Sequence, residues 1–210
     1  MRGLCSRNLA WGAGTFLALA TCVLGARAQT DFVRTFEVDP AKYLGLWYEV
    51  ARTPNDFEDD LPTIQGTKYG PCLDATATYA LIDRDNLRVS NVCVREAISD
   101  PSRDLSDGVT GVAKIGQGSD NRKLKVAFGS KVARFFQRLF TGGGADYWIY
   151  GVGPENEEGQ YSWALVSNEK RDNIFILARS KGLPSAQIQE VLALAQREHL
   201  PAADLIFTQR

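Results

Sequence analysis

Between Leu46 and Arg179 the chain holds eight short strand-like runs, and the segments joining them alternate between long and short. The predicted runs cover 46–53, 75–82, 87–95, 109–115, 123–128, 147–152, 161–167 and 173–179. The long connections are 54–71, 96–108 and 129–146; those between them, such as Asp83–Asn86 and Pro154–Gly159, are short turns. In an antiparallel sheet that winds up and down, successive connections fall at opposite ends. All three long ones therefore share one end. That pattern describes a cup with a tight base and a decorated mouth, and loops on a rigid scaffold commonly carry function. Eight antiparallel strands can close on themselves, which removes exposed edges and leaves an interior wide enough for one small ligand.

After the eighth run the period changes. Pro184 opens a segment whose apolar residues Ile188, Val191, Leu192 and Ala195 recur at i, i+3, i+4 and i+7, and Pro201 closes it. Residues 203–208 suggest one more short strand. The expected fold is all-β: an eight-stranded antiparallel up-and-down barrel with one C-terminal α-helix packed on it.

The N-terminus reads as an export signal. Arg2 and Arg7 precede an uncharged apolar run, Leu9–Leu24, and Ala26-Arg27-Ala28 supplies the small-x-small pattern of a signal-peptidase site. The run is too short to span a membrane comfortably. Residues 1–28 are thus expected to be a signal peptide and 29–210 a single domain. The product would be exported, either periplasmic or secreted. Cys22, after Leu19-Ala20-Thr21, is a loose match to a lipoprotein-processing site, which leaves a second reading: an outer-membrane-associated, envelope-tethered lipoprotein.

Without the signal segment, 21 basic residues stand against 25 acidic ones, a net charge of −4. Nucleic-acid binders carry a basic stripe, so that class is set aside. Enzyme motifs are scarce. His199 is the sole histidine and falls at the helix end, and there is neither a G-x-S-x-G elbow nor a phosphate-binding loop. No metal or cofactor is expected. Cys72 and Cys93 lie on either side of a predicted hairpin turn, and an exported protein permits a disulfide between them; two free thiols are the other reading.

The segment between the fifth and sixth runs carries its own signal. Val132, Phe135, Phe136, Leu139 and Phe140 fall at i, i+3, i+4, i+7 and i+8, with Lys131, Arg134 and Arg138 among them. A short basic amphipathic helix of this kind either touches a membrane surface or folds its aromatics onto the mouth of the barrel.

Three blocks in order resemble the lipocalin family, within it the bacterial-lipocalin and apolipoprotein D branch. They are YLGLWYEVAR (43–52), DYWIYGV (146–152) and ILAR (176–179). ATATYALIDRDNLRVSN (75–91) resembles the family's second-to-third-strand hairpin. The resemblance implies a ligand-binding barrel with a C-terminal helix. It implies that Trp47 stacks under Arg179 at the closed end, a structural cation–π pair. Cys72 and Cys93 resemble a cysteine pair of some family members.

Alternation along the first strand puts Trp47, Glu49 and Ala51 on one face. The family pattern adds Ala77 and Tyr79, with Asn91, Phe128, Tyr147, Phe175 and Leu177 from later strands. This lining is mostly apolar and suits a hydrophobic ligand such as a fatty acid or lysophospholipid. Glu49 is the exception and needs a partner, a tyrosine hydroxyl or an arginine, unless it sits protonated. An alternative of another class is a cavity enzyme acting on a lipid or isoprenoid through a free cysteine or Glu49.

Overall fold

The computed structural model describes residues 36–128 and 145–208. The predicted signal segment with Cys22, and the amphipathic run with Phe135, Phe136, Leu139 and Phe140, lie outside the described residues.

One helical turn, α1 (Pro40–Tyr43), leads into β1 (Gly45–Arg52). Pro40 sits at the first helical position, and the Asp39 side chain accepts the Ala41 N–H at 2.9 Å, capping the turn. The next connection carries a second turn, α2 (Asp56–Asp59), and a small hairpin of β2 (Thr63–Ile64) and β3 (Thr67–Lys68). Then come β4 (Asp74–Leu81), β5 (Asn86–Ala97), β6 (Asp100–Ile115), β7 (Lys123–Phe128), β8 (Ala145–Val152), β9 (Trp163–Ser167) and β10 (Ile174–Ala178). From β4 to β10 each strand pairs antiparallel with the next. β1 pairs with both β4 and β10, which closes an eight-stranded barrel. α3 (Ser185–Arg197) follows, and β11 (Ile206–Phe207) lies along the end of β1.

The connection expected at 96–108 is not a loop. β5 and β6 stay paired until Ala97 meets Asp100, leaving only Ile98 and Ser99 to turn. Although Arg95 and Ala97 on its β5 side are buried, the β6 half of this ribbon, residues 100–108, buries neither face beyond the barrel rim. It therefore lacks the period-2 apolar signal of a strand, and its backbone hydrogen bonds alone define it. The β2–β3 hairpin braces it: Gly70 N–H donates to Glu96 O at 2.8 Å and Ile98 N–H to Lys68 O at 3.0 Å.

Two cores share one wall. Inside the barrel lie Trp47, Tyr79, Leu87, Val89, Val126 and Val166 among others. Outside it, Trp163, Leu165, Ile174 and Ile176 pack against Val191, Leu194 and Ala195 of α3. The helix therefore sits where the 3.6-residue period placed it, with Leu194 as an added contact. Strand β9 serves both cores, Ala164 and Val166 inward, Trp163 and Leu165 outward, and is buried throughout. Gly151 of β8 makes room for the helix, since a Cβ there would lie 2.2 Å from Leu194 Cδ2.

β1 is irregular at one point. Glu49 pairs with Leu177, but Ala51 pairs with Ile176, so Val50 is an extra residue. This bulge reverses the alternation of the last turn of strand. Ala51, expected on the cavity face, instead packs with Val50 in the outer core under α3. Arg52, expected outward, is 1% exposed beside Glu49.

Candidate ligand-binding cavity

Strand polarity fixes the two ends of the barrel. The base is formed by α1, the tight turns 82–85 and 116–122, and the segment around Arg179. There the Arg179 guanidinium carbon lies 3.6 Å from the centroid of the Trp47 ring. Its nitrogens donate to the carbonyls of Leu46 (2.7 Å), Lys42 (2.9 Å) and Tyr161 (3.2 Å). Trp47 Nε1 donates to Tyr43 O at 2.8 Å. One arginine thus ties α1, β1 and the end of β10 over the indole face, so the pair closes the floor.

Above it sit three tyrosines. Tyr43 and Tyr147 share a hydroxyl–hydroxyl hydrogen bond of 2.7 Å, and Tyr79 hydrogen-bonds Tyr147. The Tyr43 and Tyr79 rings meet edge-on with centroids 5.4 Å apart. Burial pushes all three phenols well above their ordinary range. With the Tyr43 and Tyr147 hydroxyls paired, the floor presents mostly ring carbon to whatever lies above it.

The barrel encloses a cavity of about 540 Å³, within the usual range for small-molecule sites. Of the residues expected to line it, Glu49, Ala77, Tyr79, Asn91, Phe128, Tyr147, Phe175 and Leu177 do so; Ala51 does not, for the reason given above. Val89, Val126 and Val166 complete the apolar wall.

The mouth holds what sequence reasoning missed. Arg52 reaches three acids. Its Nε lies 3.5 Å from Glu49 Oε1 and against Glu58 Oε2, while Nη1 and Nη2 donate to the two Asp59 oxygens at 3.1 and 2.6 Å. Asn55 caps α2, accepting the Glu58 N–H at 2.9 Å, and so presents Glu58 inward. Arg95 Nη1 donates to the carbonyls of Asp60 (2.7 Å) and Gly70 (3.0 Å). The Cys72–Cys93 disulfide, with Cα atoms 5.7 Å apart, fastens the end of this connection to β5. Two arginines and a disulfide therefore hold 53–73 across the mouth, where Asp60, Pro62 and Ile64 join the cavity lining.

Glu49 and Glu58 meet on the Arg52 guanidinium in a nearly dry site. Burial, reinforced by Glu58, raises Glu49 well above the carboxylate range. Burial pushes Glu58 up to about 7, against the pull of Arg52. Asp59 is less buried. Although burial raises it, the Arg52 and Asn55 hydrogen bonds prevail and hold it below the usual range. Burial thus favours the neutral form of both glutamates while Asp59 carries the charge that balances Arg52. Arg52 gave no signal, because in a regular strand a three-residue spacing from Glu49 points to the opposite face and only the bulge brings the two together. Glu58 had none, because only the folding of α2 brings it in.

Among the described residues no group of His, Cys, Asp and Glu is arranged to hold a metal ion, and no helix is long and apolar enough to cross a membrane. The disulfide removes both thiols of the barrel from nucleophilic chemistry.

A closed antiparallel barrel with a plugged floor, an apolar interior and a lidded mouth is a vessel for a small hydrophobic molecule. Residues 38–210 match the family model of a lipocalin-like domain, and the chain belongs to that family. It is 31% identical over 172 residues to the outer membrane lipoprotein Blc of Escherichia coli K12, covering 82% of this chain and 79% of that protein. It is 29% identical over 151 residues to apolipoprotein D of Macaca fascicularis, covering 71% of this chain and 65% of that protein. Among solved structures, lobster apocrustacyanin A1 superposes with a TM-score of 0.51 at 14% identity, over 82% of this chain and 79% of that one. That likeness concerns the fold.

Proposed function

We propose that this protein is exported and binds a single-chain lipid, a fatty acid, lysophospholipid or similar molecule, in the barrel, and carries it without chemical change. The observation that supports this is the cavity's division: among the described residues, aromatic and aliphatic side chains lie below and the carboxyl and guanidinium groups lie toward the mouth. A chain inserted tail-first exchanges water for apolar wall at roughly 0.8 kcal/mol per methylene, before the cost of ordering it. Glu49, Ala77, Tyr79, Asn91, Phe128, Tyr147, Phe175 and Leu177 would contact it.

Carriage rather than catalysis is supported by the bridged cysteines and by the engagement of Glu49 with Arg52 and Glu58. Native mass spectrometry of protein from its own host, followed by lipid extraction, tests the reading. A lipid-sized adduct is expected, lost in Ala77→Trp, which fills the cavity. A protein without adduct that also fails to enclose added single-chain lipids would refute it.

Two subsidiary readings rest on sequence. The basic amphipathic run with Phe135, Phe136, Leu139 and Phe140 would touch a membrane during transfer; liposome flotation unchanged by Phe135→Asp/Phe136→Asp would refute that. The mature N-terminal mass distinguishes cleavage after Ala28 from a lipidated Cys22, the kind of anchor named in the Blc relatives.

A further inference from the structure

We infer that the cavity discriminates by head group: it accepts a single-chain lipid whose polar end donates hydrogen bonds, a primary alcohol or an ammonium, and disfavours one ending in a carboxylate. This rests on the cavity-binding reading and narrows it.

The inference follows from an inventory of the lining. Among the described residues, five acids border the cavity, Glu49, Glu58, Asp60, Asp107 and Asp146, against one cationic residue, Arg95. The guanidinium groups nearest the mouth are engaged. Arg52 is divided among Glu49, Glu58 and Asp59. Arg95 holds the backbone of the lid through the carbonyls of Glu58, Asp60 and Gly70. To pair with an incoming carboxylate, either would have to release what it fastens. The floor lies at the opposite end of the barrel from the mouth, so it faces the tail rather than the head group.

The unfilled capacity is of the opposite kind. The buried Asn91 Oδ1 has no hydrogen-bond partner, and Asn91 lines the cavity. Glu49 and Glu58 carry four oxygens between them in a site of low dielectric. A donor head would find acceptors at each of these positions. A carboxylate would add a second buried negative charge beside Glu58, and like charges in a poorly solvated site repel strongly. Tail down and head up, the donor end of the lipid meets the acceptor end of the cavity.

The test is competition against a neutral solvatochromic probe with dodecan-1-ol, dodecylammonium and dodecanoate, which share one chain length. At about pH 7.5 the amine is cationic and the acid ionised, so this pair compares two charged heads of opposite sign. Dodecylammonium and the alcohol are expected to displace the probe at concentrations at least about tenfold below dodecanoate, a difference of about 1.4 kcal/mol. Glu58→Gln is expected to narrow the ammonium–carboxylate gap by several-fold while the alcohol still binds, which also reports an intact cavity. Should that variant not fold, Asp107→Asn at the exposed rim is expected to narrow it in the same direction. Dodecanoate binding as tightly as dodecylammonium would overturn the head-group inference and leave the lipid-binding reading standing. Failure of all three to displace the probe would remove both.

Discussion

Glu58 makes the stability of this barrel depend on pH in an unusual direction. Burial raises its carboxyl from about 4.5 to about 7 in the folded protein. A group that holds its proton longer in the native state favours folding on the acid side, where it is protonated in both states at no electrostatic cost. That contribution is complete below about 4.5 and is lost as pH rises through about 7. The shift corresponds to about 3 kcal/mol between the two ends of the window, at roughly 1.4 kcal/mol per pKa unit. For a chain of 210 residues this is roughly 6–12 °C in Tm. The lowered carboxyls, Asp59, Asp83 and Asp100, titrate below 3.8, outside the window. Urea denaturation of the wild type should therefore give its higher midpoint near pH 5 and its lower one near pH 8. Glu58→Gln, which cannot ionise, should reduce the slope without abolishing it, because burial raises Glu49 in the same direction. A wild-type midpoint that is level or rises from pH 5 to pH 8 would refute the reasoning, because it would mean that Arg52 outweighs burial.

Arg179→Ala removes a cation–π contact and three hydrogen bonds to backbone carbonyls, so it should cost about 2–4 kcal/mol in chemical denaturation. Cys72→Ser/Cys93→Ser opens a bridge spanning 21 positions and should lower stability by about 3 kcal/mol on the loop-entropy estimate. Limited proteolysis of that variant should cut first within 54–71. Gly111→Ala puts a Cβ 2.4 Å from Ala127 O and 2.7 Å from Phe128 Cδ1, and should cost about 1–3 kcal/mol by prising β6 from β7. Leu194→Ala should destabilise by about 2–5 kcal/mol through the outer core while leaving lipid affinity unchanged, as measured by probe displacement.

The barrel was legible because connection lengths and turn residues report topology directly. The alternation of long and short segments needed no side-chain detail, and the apolar period of α3 named its buried face. What stayed hidden has three physical causes. Outside the barrel the β6 half of the β5–β6 ribbon is held by backbone pairing, which leaves no mark in the apolar pattern. At β1 the bulge adds one residue whose only trace is a pairing register, so Ala51 and Arg52 exchanged faces. At the mouth, Glu58 belongs to a polar stretch that reads as a solvated loop until Asn55 caps it and Arg52 draws it inward. The eight expected residues that border the cavity all lie on strands away from the bulge in β1 or, like Glu49, just before it.

That extra residue at Val50 also separates two design problems. Counting from Gly45, side chains alternate so that Trp47 meets Arg179; counting back from Arg52, they alternate so that the guanidinium meets its acids. The two counts are out of phase by one and are reconciled only at the bulge. Plug and rim are therefore independently editable modules on a single strand. Deleting Val50 would merge the two counts into one regular alternation, leaving Trp47 and Arg52 on their present faces while removing a side chain from the outer core, and a chimera joined at that position could exchange mouths without disturbing its floor.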